Sequence, residues 1–318
     1  MSTSVAPILL LVYRRLDTSL RVLDSIRAAK PQKIYIAANA PASNDRDEIE
    51  RVMHARSIVD HIDWPCEKIT LFRENHLKVR ESIPSSISWF MDHEPEGIIL
   101  EDDCVVSPDF VHFASEMLVK YRDDERIAQI SASNVQGETT RLDGDYFFSK
   151  FPQIWGWATW SRSWRGSDLA EPTRDRPAIM RLLKDWFPNP LVRIYWLLSY
   201  YYTRSGRRDT WDNLWTLSVW LRKGLTIVPR VNLVSNIGFG GGSTNTLAAG
   251  SRWASMRVRP FPGPWRDPRS VVCSGEADDY ILNEFYGHGR TWCLNVARLL
   301  LALSTPPGVK RWIKKHIG

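Results

Sequence analysis

The sequence has no run approaching the roughly 20 consecutive apolar residues that cross a bilayer, so a spanning helix is not expected. Cysteine is sparse. The 4 cysteines (Cys66, Cys104, Cys273, Cys293) show neither a CxxC pair nor a Cys/His metal spacing, which argues against a disulfide framework or a zinc site. The short apolar run 8–13 has no basic residues before it and reads as a strand, not an export signal. Reduced thiols and a cytoplasmic setting are therefore expected. No GxGxxG follows that run, so a dinucleotide cofactor is not expected. There is no acidic excess either. The net charge of +6 favours anions such as nucleotides, lipid phosphates or polyphosphates, without naming one.

What is present is an ordinary globular composition, 43% apolar and 25% charged, in a chain of 318 residues, long enough for one large domain or two. Through residue 135, apolar strands alternate with amphipathic helices. Strands are predicted at 7–12, 33–38, 68–72, 97–100 and 127–131, with helices at 17–29, 45–60, 81–93 and 108–122. This rhythm implies a parallel sheet covered on both faces, a Rossmann-like nucleotide-binding layout.

The predicted strand 97–100 runs straight into Glu101-Asp102-Asp103. Three adjacent carboxylates repel one another and must be hydrated, paired or bound to a cation. At the carboxyl end of a parallel strand, where open α/β sheets bind ligands, they suit a divalent metal and a phosphate. The plainer alternative is a solvated strand-to-helix turn whose acids cap the helix that begins near Pro108.

Beyond about residue 145 the texture changes. The chain holds 15 Trp, and aromatics crowd at 155–160 and 195–202. Most single tryptophans belong in a core; only the surplus argues for a site, because Trp faces stack on sugar rings and bases. The segment 209–215 is predicted to open a helix running to about 223, closed by Gly224, with Asp212 in its first turn near the positive end of the helix dipole. A carboxylate there can take a proton from an attacking hydroxyl if it faces a cleft, whereas capping by Asp209 would leave it in solvent. After a strand at 225–228, the polar loop 232–250 carries Gly238, Gly240, Gly241 and Gly242, which permit close approach to a ligand.

These stretches together resemble the GT-A glycosyltransferases. They are similar in particular to a bacterial family of nucleotide-diphospho-sugar transferases, hemolysin-like (HlpA-like) proteins, distantly related to the Golgi N-acetylglucosaminyltransferase that initiates complex N-glycans. The matching segments are 7–15, 98–110 (IILEDDCVVSPDF), 155–164 (WGWATWSRSW), 211–215 (WDNLW) and 229–246 (PRVNLVSNIGFGGGSTNT). The resemblance implies a mostly parallel GT-A sheet with helices on both faces and an acceptor-side extension. It makes Glu101-Asp102-Asp103 a DxD-type motif, with Asp103 on Mn²⁺ or Mg²⁺ and Asp102 at the donor ribose. Asp212 becomes the base of an inverting transfer, and Tyr13, Arg14 and Asn39 hold the nucleotide base. His76 lies where it can touch the donor pyrophosphate. Trp155, Trp157, Trp160, Trp211, Gly240, Gly241 and Asn245 frame sugar and acceptor. The chain departs from the family at Asn39-Ala40-Pro41 (usually Asp-Gly-Pro), Asn75-His76-Leu77 (usually Asn-Leu-Gly) and Thr244-Asn245-Thr246 (usually Thr-His-Thr).

The expected organisation is a nucleotide-sugar-binding half at 1–135, an acceptor-side half of the same domain at 136–280, and an apolar then basic tail at 281–318. The expected activity is transfer of a hexose or N-acetylhexosamine from a nucleotide diphosphate, UDP favoured, to a glycan or lipid-linked hydroxyl in bacterial surface glycan assembly, with no nucleic acid partner. Lys310, Arg311, Lys314 and Lys315 around Trp312 and Ile313 would suit peripheral contact with anionic lipid on the cytoplasmic face. Docking of 292–304 on the catalytic domain, with a merely solvated basic end, is the plainer alternative. Two other functions fit parts of the pattern. One is a sugar-phosphate nucleotidyltransferase, although Tyr13-Arg14-Arg15-Leu16 lacks the glycine of its phosphate loop. The other is an inactive carbohydrate-binding homologue.

Overall fold

The computed structural model describes residues 4–139, 142–167, 175–239, 252–254, 256–287 and 292–304. Ten strands are described: β1 (Ile8–Val12), β2 (Lys33–Ala38), β3 (Glu67–Phe72), β4 (Glu96–Glu101), β5 (Cys104–Val106), β6 (Ile127–Ser131), β7 (Tyr146–Ser149), β8 (Trp157–Trp160), β9 (Leu225–Pro229) and β10 (Val234–Asn236). Eight of them form one sheet in the order β3-β2-β1-β4-β8-β6-β9-β7, and β5 pairs with β10 separately. The β3-β2-β1-β4 side is wholly parallel. On the other side β8 lies antiparallel between β4 and β6, and β7 antiparallel beside β9. The expected α/β class, with a mostly parallel, Rossmann-like sheet carrying helices on both faces, is what the chain forms.

Every residue of β1 is buried, and period-two alternation divides that apolar run between two cores. Ile8, Leu10 and Val12 face helices α1 (Leu16–Arg27) and α4 (Pro108–Lys120). Leu9 and Leu11 face α3 (Val79–His93), α5 (Ser161–Arg165) and α8 (Asp212–Leu221). In α1 the buried residues Ser19, Val22, Leu23 and Ile26 fall three or four apart, the stripe of a surface helix on a sheet. The predicted helix 45–60 divides into α2 (Arg46–Arg56) and a 3₁₀ turn, Ser57–His61.

A third core joins α6 (Arg176–Trp186), α7 (Pro190–Arg204), α8 and α10 (Trp292–Ser304), with the short helix α9 (Gly275–Tyr280) beyond the sheet's β7 edge. Here α8 serves two layers: Trp215 and Val219 enter the sheet core, while Leu217 and Trp220 enter the helical one. The apolar tail segment docks as α10, with Trp292 against Tyr195 of α7 at 5.1 Å between ring centroids. Its outer face leaves Leu294, Leu300 and Leu301 exposed. The basic end, with Lys310, Arg311, Lys314 and Lys315, lies outside the described residues. No described helix is long and apolar enough to cross a membrane.

Candidate functional site

At the end of β4, Glu101 sits beside Leu11 of β1, and the chain turns through Asp102 and Asp103 into β5. These acids do not cap the following helix. Ser107 does, its hydroxyl accepting the Asp109 N–H at 3.2 Å, so capping does not account for the cluster. Asp102 and Asp103 are only 7% and 8% exposed and need compensation of another kind.

Arg15 supplies it. One guanidinium nitrogen donates to Asp102 at 2.7 Å and to Asp103 at 2.9 Å. The Arg15 carbonyl is held at the start of α1 by the Ser19 N–H at 3.1 Å and the Ser19 hydroxyl at 2.7 Å, which fixes the base from which the side chain reaches. Arg14, expected at the nucleotide base, lies over the Tyr13 ring, 5.6 Å from its centroid. One guanidinium does not balance three carboxylates. Burial pushes Asp102 up to about 6 despite Arg15, and burial together with Asp103, Asp102 and Asp212 raises Glu101 well above the usual carboxylate range. Gly238 closes over the cluster. A Cβ there would stand 2.0 Å from an Asp103 carboxylate oxygen, and the neighbouring Ile237 N–H donates to the Asp103 carbonyl at 2.9 Å. Gly240, Gly241 and Asn245 lie outside the described residues.

Two cavities meet at this cluster. The first, about 390 Å³, is lined by Tyr13, Arg14, Arg15, Asn39, His76 and the three acids, among others. The Tyr13 hydroxyl donates to Glu48 at 2.5 Å, and burial and Glu48 push the phenol up to about 12. The His76 ring stands 5.9 Å from that of Tyr13, with Nδ1 2.8 Å from the Ala40 carbonyl. Asn39, expected at the nucleotide base, lines this cavity and also holds its wall. Its oxygen accepts the Leu77 and Ala40 N–H groups at 3.1 and 3.0 Å, and its nitrogen donates to the Leu77 carbonyl at 2.7 Å. It shapes the wall by clasping the 75–77 turn to the end of β2.

The second cavity, about 360 Å³, shares Val79, Ile83, Glu101 and Asp103 with the first and holds Asp212 on its wall. Asp212 opens α8 and accepts a hydrogen bond from the Thr210 hydroxyl. Asp209 does not cap α8, as sequence reading allowed. Its carboxylate accepts the Val79 and Arg80 N–H groups at 3.2 and 3.0 Å, completing the N-terminus of α3 and pinning the 209–212 turn to the cavity rim.

The tryptophans separate. Trp155 lines the second cavity, and so does one edge of Trp211, which is otherwise packed against Trp157 at 5.9 Å. Trp157 and Trp160 do not frame a ligand. Each is 1% exposed, because alternation along β8 sends Trp157 into the core under α3 and α8 and Trp160 into the core under α4. Gly156, at φ +64°, makes the turn that parts Trp155 from that strand.

Sequence reasoning missed Arg15 as the partner of the acids. It also missed Gln153, Tyr195, Arg208, Phe285 and Tyr286 in the second cavity. Burial raises both tyrosines, leaving neutral phenols. Two arginines directly after a parallel strand were a usable signal for the first. The others come from segments far apart in sequence that only the third core brings together.

Among the described residues no group of three or more His, Cys, Asp or Glu could hold a metal ion unaided. The chemistry of the acids nevertheless fits Mg²⁺ or Mn²⁺: they are hard oxygens already carrying a cationic group, and these ions commonly use one or two carboxylates plus substrate phosphates.

No family model and no curated protein matches this chain. Solved structures match weakly. HddC from Yersinia pseudotuberculosis aligns at 9% identity and TM-score 0.29 over 49% of this chain and 77% of its own. The glycosyltransferase GlyE of Streptococcus pneumoniae aligns at 12% and 0.29 over 54% and 40%. A UDP-glucose pyrophosphorylase complexed with UDP-glucose aligns at 9% and 0.36 over 73% and 93%. Similarity at this level leaves the activity to be read from the site itself.

Proposed function

We propose that the chain is a glycosyltransferase using a nucleotide-diphosphate sugar, UDP-linked by preference, and acting on a glycan or lipid-linked hydroxyl in bacterial surface glycan assembly. One observation carries the reading: two cavities of similar size meet at Glu101 and Asp103, with Asp212 across the second. The nucleotide occupies the first, between Tyr13, Arg14 and His76. Its diphosphate reaches Asp103, and the sugar enters the second. Asp212 removes the proton of the acceptor hydroxyl as that oxygen bonds to the anomeric carbon, and the bond to the diphosphate breaks with inversion. Mg²⁺ or Mn²⁺ held by Asp103 would offset the charge of the departing diphosphate. Arg15 keeps the carboxylates oriented. Work at the cytoplasmic membrane face, with the basic tail on anionic lipid, suits a lipid-linked acceptor.

The test is release of nucleotide diphosphate from a panel of sugar nucleotides, with and without Mn²⁺ or Mg²⁺. Asp212→Asn keeps the shape of the side chain but cannot take a proton, so kcat should fall about 10²–10⁴-fold while donor affinity holds. An Asp212→Asn variant that lost donor binding and kept kcat would move Asp212 out of the base role. Pyrophosphate exchange with a nucleoside triphosphate and a sugar phosphate would mark a nucleotidyltransferase instead. Binding without turnover would mark a carbohydrate-binding homologue.

A further inference from the structure

Asp212 stands at the start of α8 in a turn whose two flanks are anchored. On one side the Asp209 carboxylate holds the Val79 and Arg80 N–H groups of α3. On the other the Asn213 amide donates to the Thr203 hydroxyl of α7 at 3.2 Å. Between them the Trp211 carbonyl accepts the Leu214 and Trp215 N–H groups at 3.0 and 3.1 Å, and the Trp211 ring is buried in the core under the sheet. The backbone of 209–213 is thus held against two helices and that core.

None of these bonds fixes the Asp212 side chain. It is half-buried, and it lies close enough to Glu101 for the two carboxylates to repel. Its restraint comes from Thr210, on the wall of the same cavity, whose hydroxyl donates to Asp212 Oδ1. Among the described residues no other hydrogen bond reaches the Asp212 carboxylate. An ionised carboxylate only accepts, so the hydroxyl must be the donor, and Oδ2 is left for a second one. Threonine is β-branched and stiff about χ1, so the anchored backbone also sets where that hydroxyl points.

We infer that Thr210 is a positioning residue for the base: it holds Asp212 by Oδ1 so that Oδ2 meets the hydroxyl that attacks the sugar. The inference rests on the function proposed above. The acceptor proton passes to Asp212 Oδ2 as the acceptor oxygen bonds to the anomeric carbon, and Thr210 keeps its own proton throughout. Its contribution is orientation, which matters because a base must lie within hydrogen-bond reach of the proton it takes.

The experiment follows UDP release from UDP-glucose, UDP-galactose and UDP-N-acetylglucosamine by the full chain, with Mn²⁺ present and water in place of the acceptor hydroxyl. Thr210→Val, Thr210→Ser and Asp212→Asn are measured beside the wild type. Valine keeps the β-branch and removes the donor, whereas serine keeps the donor. Thr210→Val should lower kcat about tenfold, the effect of one hydrogen bond to a charged group, with KM for the sugar nucleotide unchanged. Thr210→Ser should recover most of that loss. Wild-type kcat in Thr210→Val, with turnover lost in Asp212→Asn, overturns the inference and leaves the proposed function standing. A raised KM at unchanged kcat makes Thr210 a ligand contact, and equal losses in Thr210→Val and Thr210→Ser make it a packing residue; either overturns the inference. Full turnover in Asp212→Asn, or no UDP release by the wild type from any of the three donors, overturns the proposed function and the inference with it.

Discussion

Replacing Arg15 by methionine removes the cation that joins Asp102 to Asp103 while keeping most of the stem. The two carboxylates are 10% and 12% exposed at the side chain and the arginine 28%, so the pair sits between surface and interior. Removing one partner of a fully buried ion pair costs about 3–5 kcal/mol, chiefly because the other charge is left uncompensated. Water still reaches the guanidinium, which brings the expectation down to about 2–3 kcal/mol. In a chain this size each kcal/mol moves Tm by about 2 °C, so Arg15→Met should melt about 4–6 °C below wild type. Arg15→Lys keeps the charge but not the fork that spans both acids, and should fall between. Adding Asp102→Asn to Arg15→Met should recover part of the loss, since one uncompensated charge is then gone. Thermal unfolding of the four proteins at pH 7 decides it. If Arg15→Met melts within about 1 °C of wild type, Arg15 is not what balances the acidic turn.

Two further outcomes follow from the geometry. Gly238→Ala would place a methyl 2.0 Å from an Asp103 oxygen and must displace the loop or the carboxylate; turnover should drop at least tenfold with Tm lowered only modestly, and unchanged kinetics would mean the loop is not seated on Asp103. Asp278, 2% exposed and accepting from the Ser149 hydroxyl at 2.5 Å, is pushed by burial from 3.8 up to about 6. A folded carboxyl that holds its proton more tightly than the unfolded one adds stability at low pH and loses it as pH rises from about 4 to about 6. Asp278→Asn should therefore gain on wild type by about 1–2 kcal/mol between pH 5 and pH 8 in urea unfolding, and a pH-independent difference would refute the assignment.

How much was legible in the sequence depends on how local its cause was. The parallel half was readable because each strand there is a continuous apolar run and each helix carries its own stripe: 127–131 matches β6 to the residue, and 97–100 lies within β4. The antiparallel insertions were not. β8 is four residues long and looked like an aromatic platform, because strand alternation cannot be told from surplus tryptophan without the neighbours that bury both faces. β5 and β10 are three residues each and exist only through each other. In the candidate site, the acidic turn stood out because three adjacent carboxylates after an apolar strand are hard to place in a core, whereas Asp212 at a helix start read equally well as part of a cap. Asn39 is a similar case. A polar residue at a strand end can hold a ligand, a turn or both, and its bonds to Leu77, which hold the turn, depend on a residue 38 positions away that the local sequence does not reveal.

The same locality bears on the C-terminal helix. Its apolar composition and basic sequel suggested a lipid contact, but within the described residues α10 has a different task. Trp292 packs on Tyr195, its indole N–H donates to the Asn283 side chain at 3.5 Å, and the Asn295 amide donates to the Gly287 carbonyl at 3.3 Å. Those contacts bracket the turn Ile281–Tyr286, which brings Phe285 and Tyr286 to the second cavity opposite Asp212. α10 thus braces the cavity wall through Trp292 and Asn295, which are not part of the lining. The helix that braces this wall with one face leaves Leu294, Leu300 and Leu301 exposed on the other. Composition showed an apolar segment and had no means of dividing it between a docked face and an exposed one.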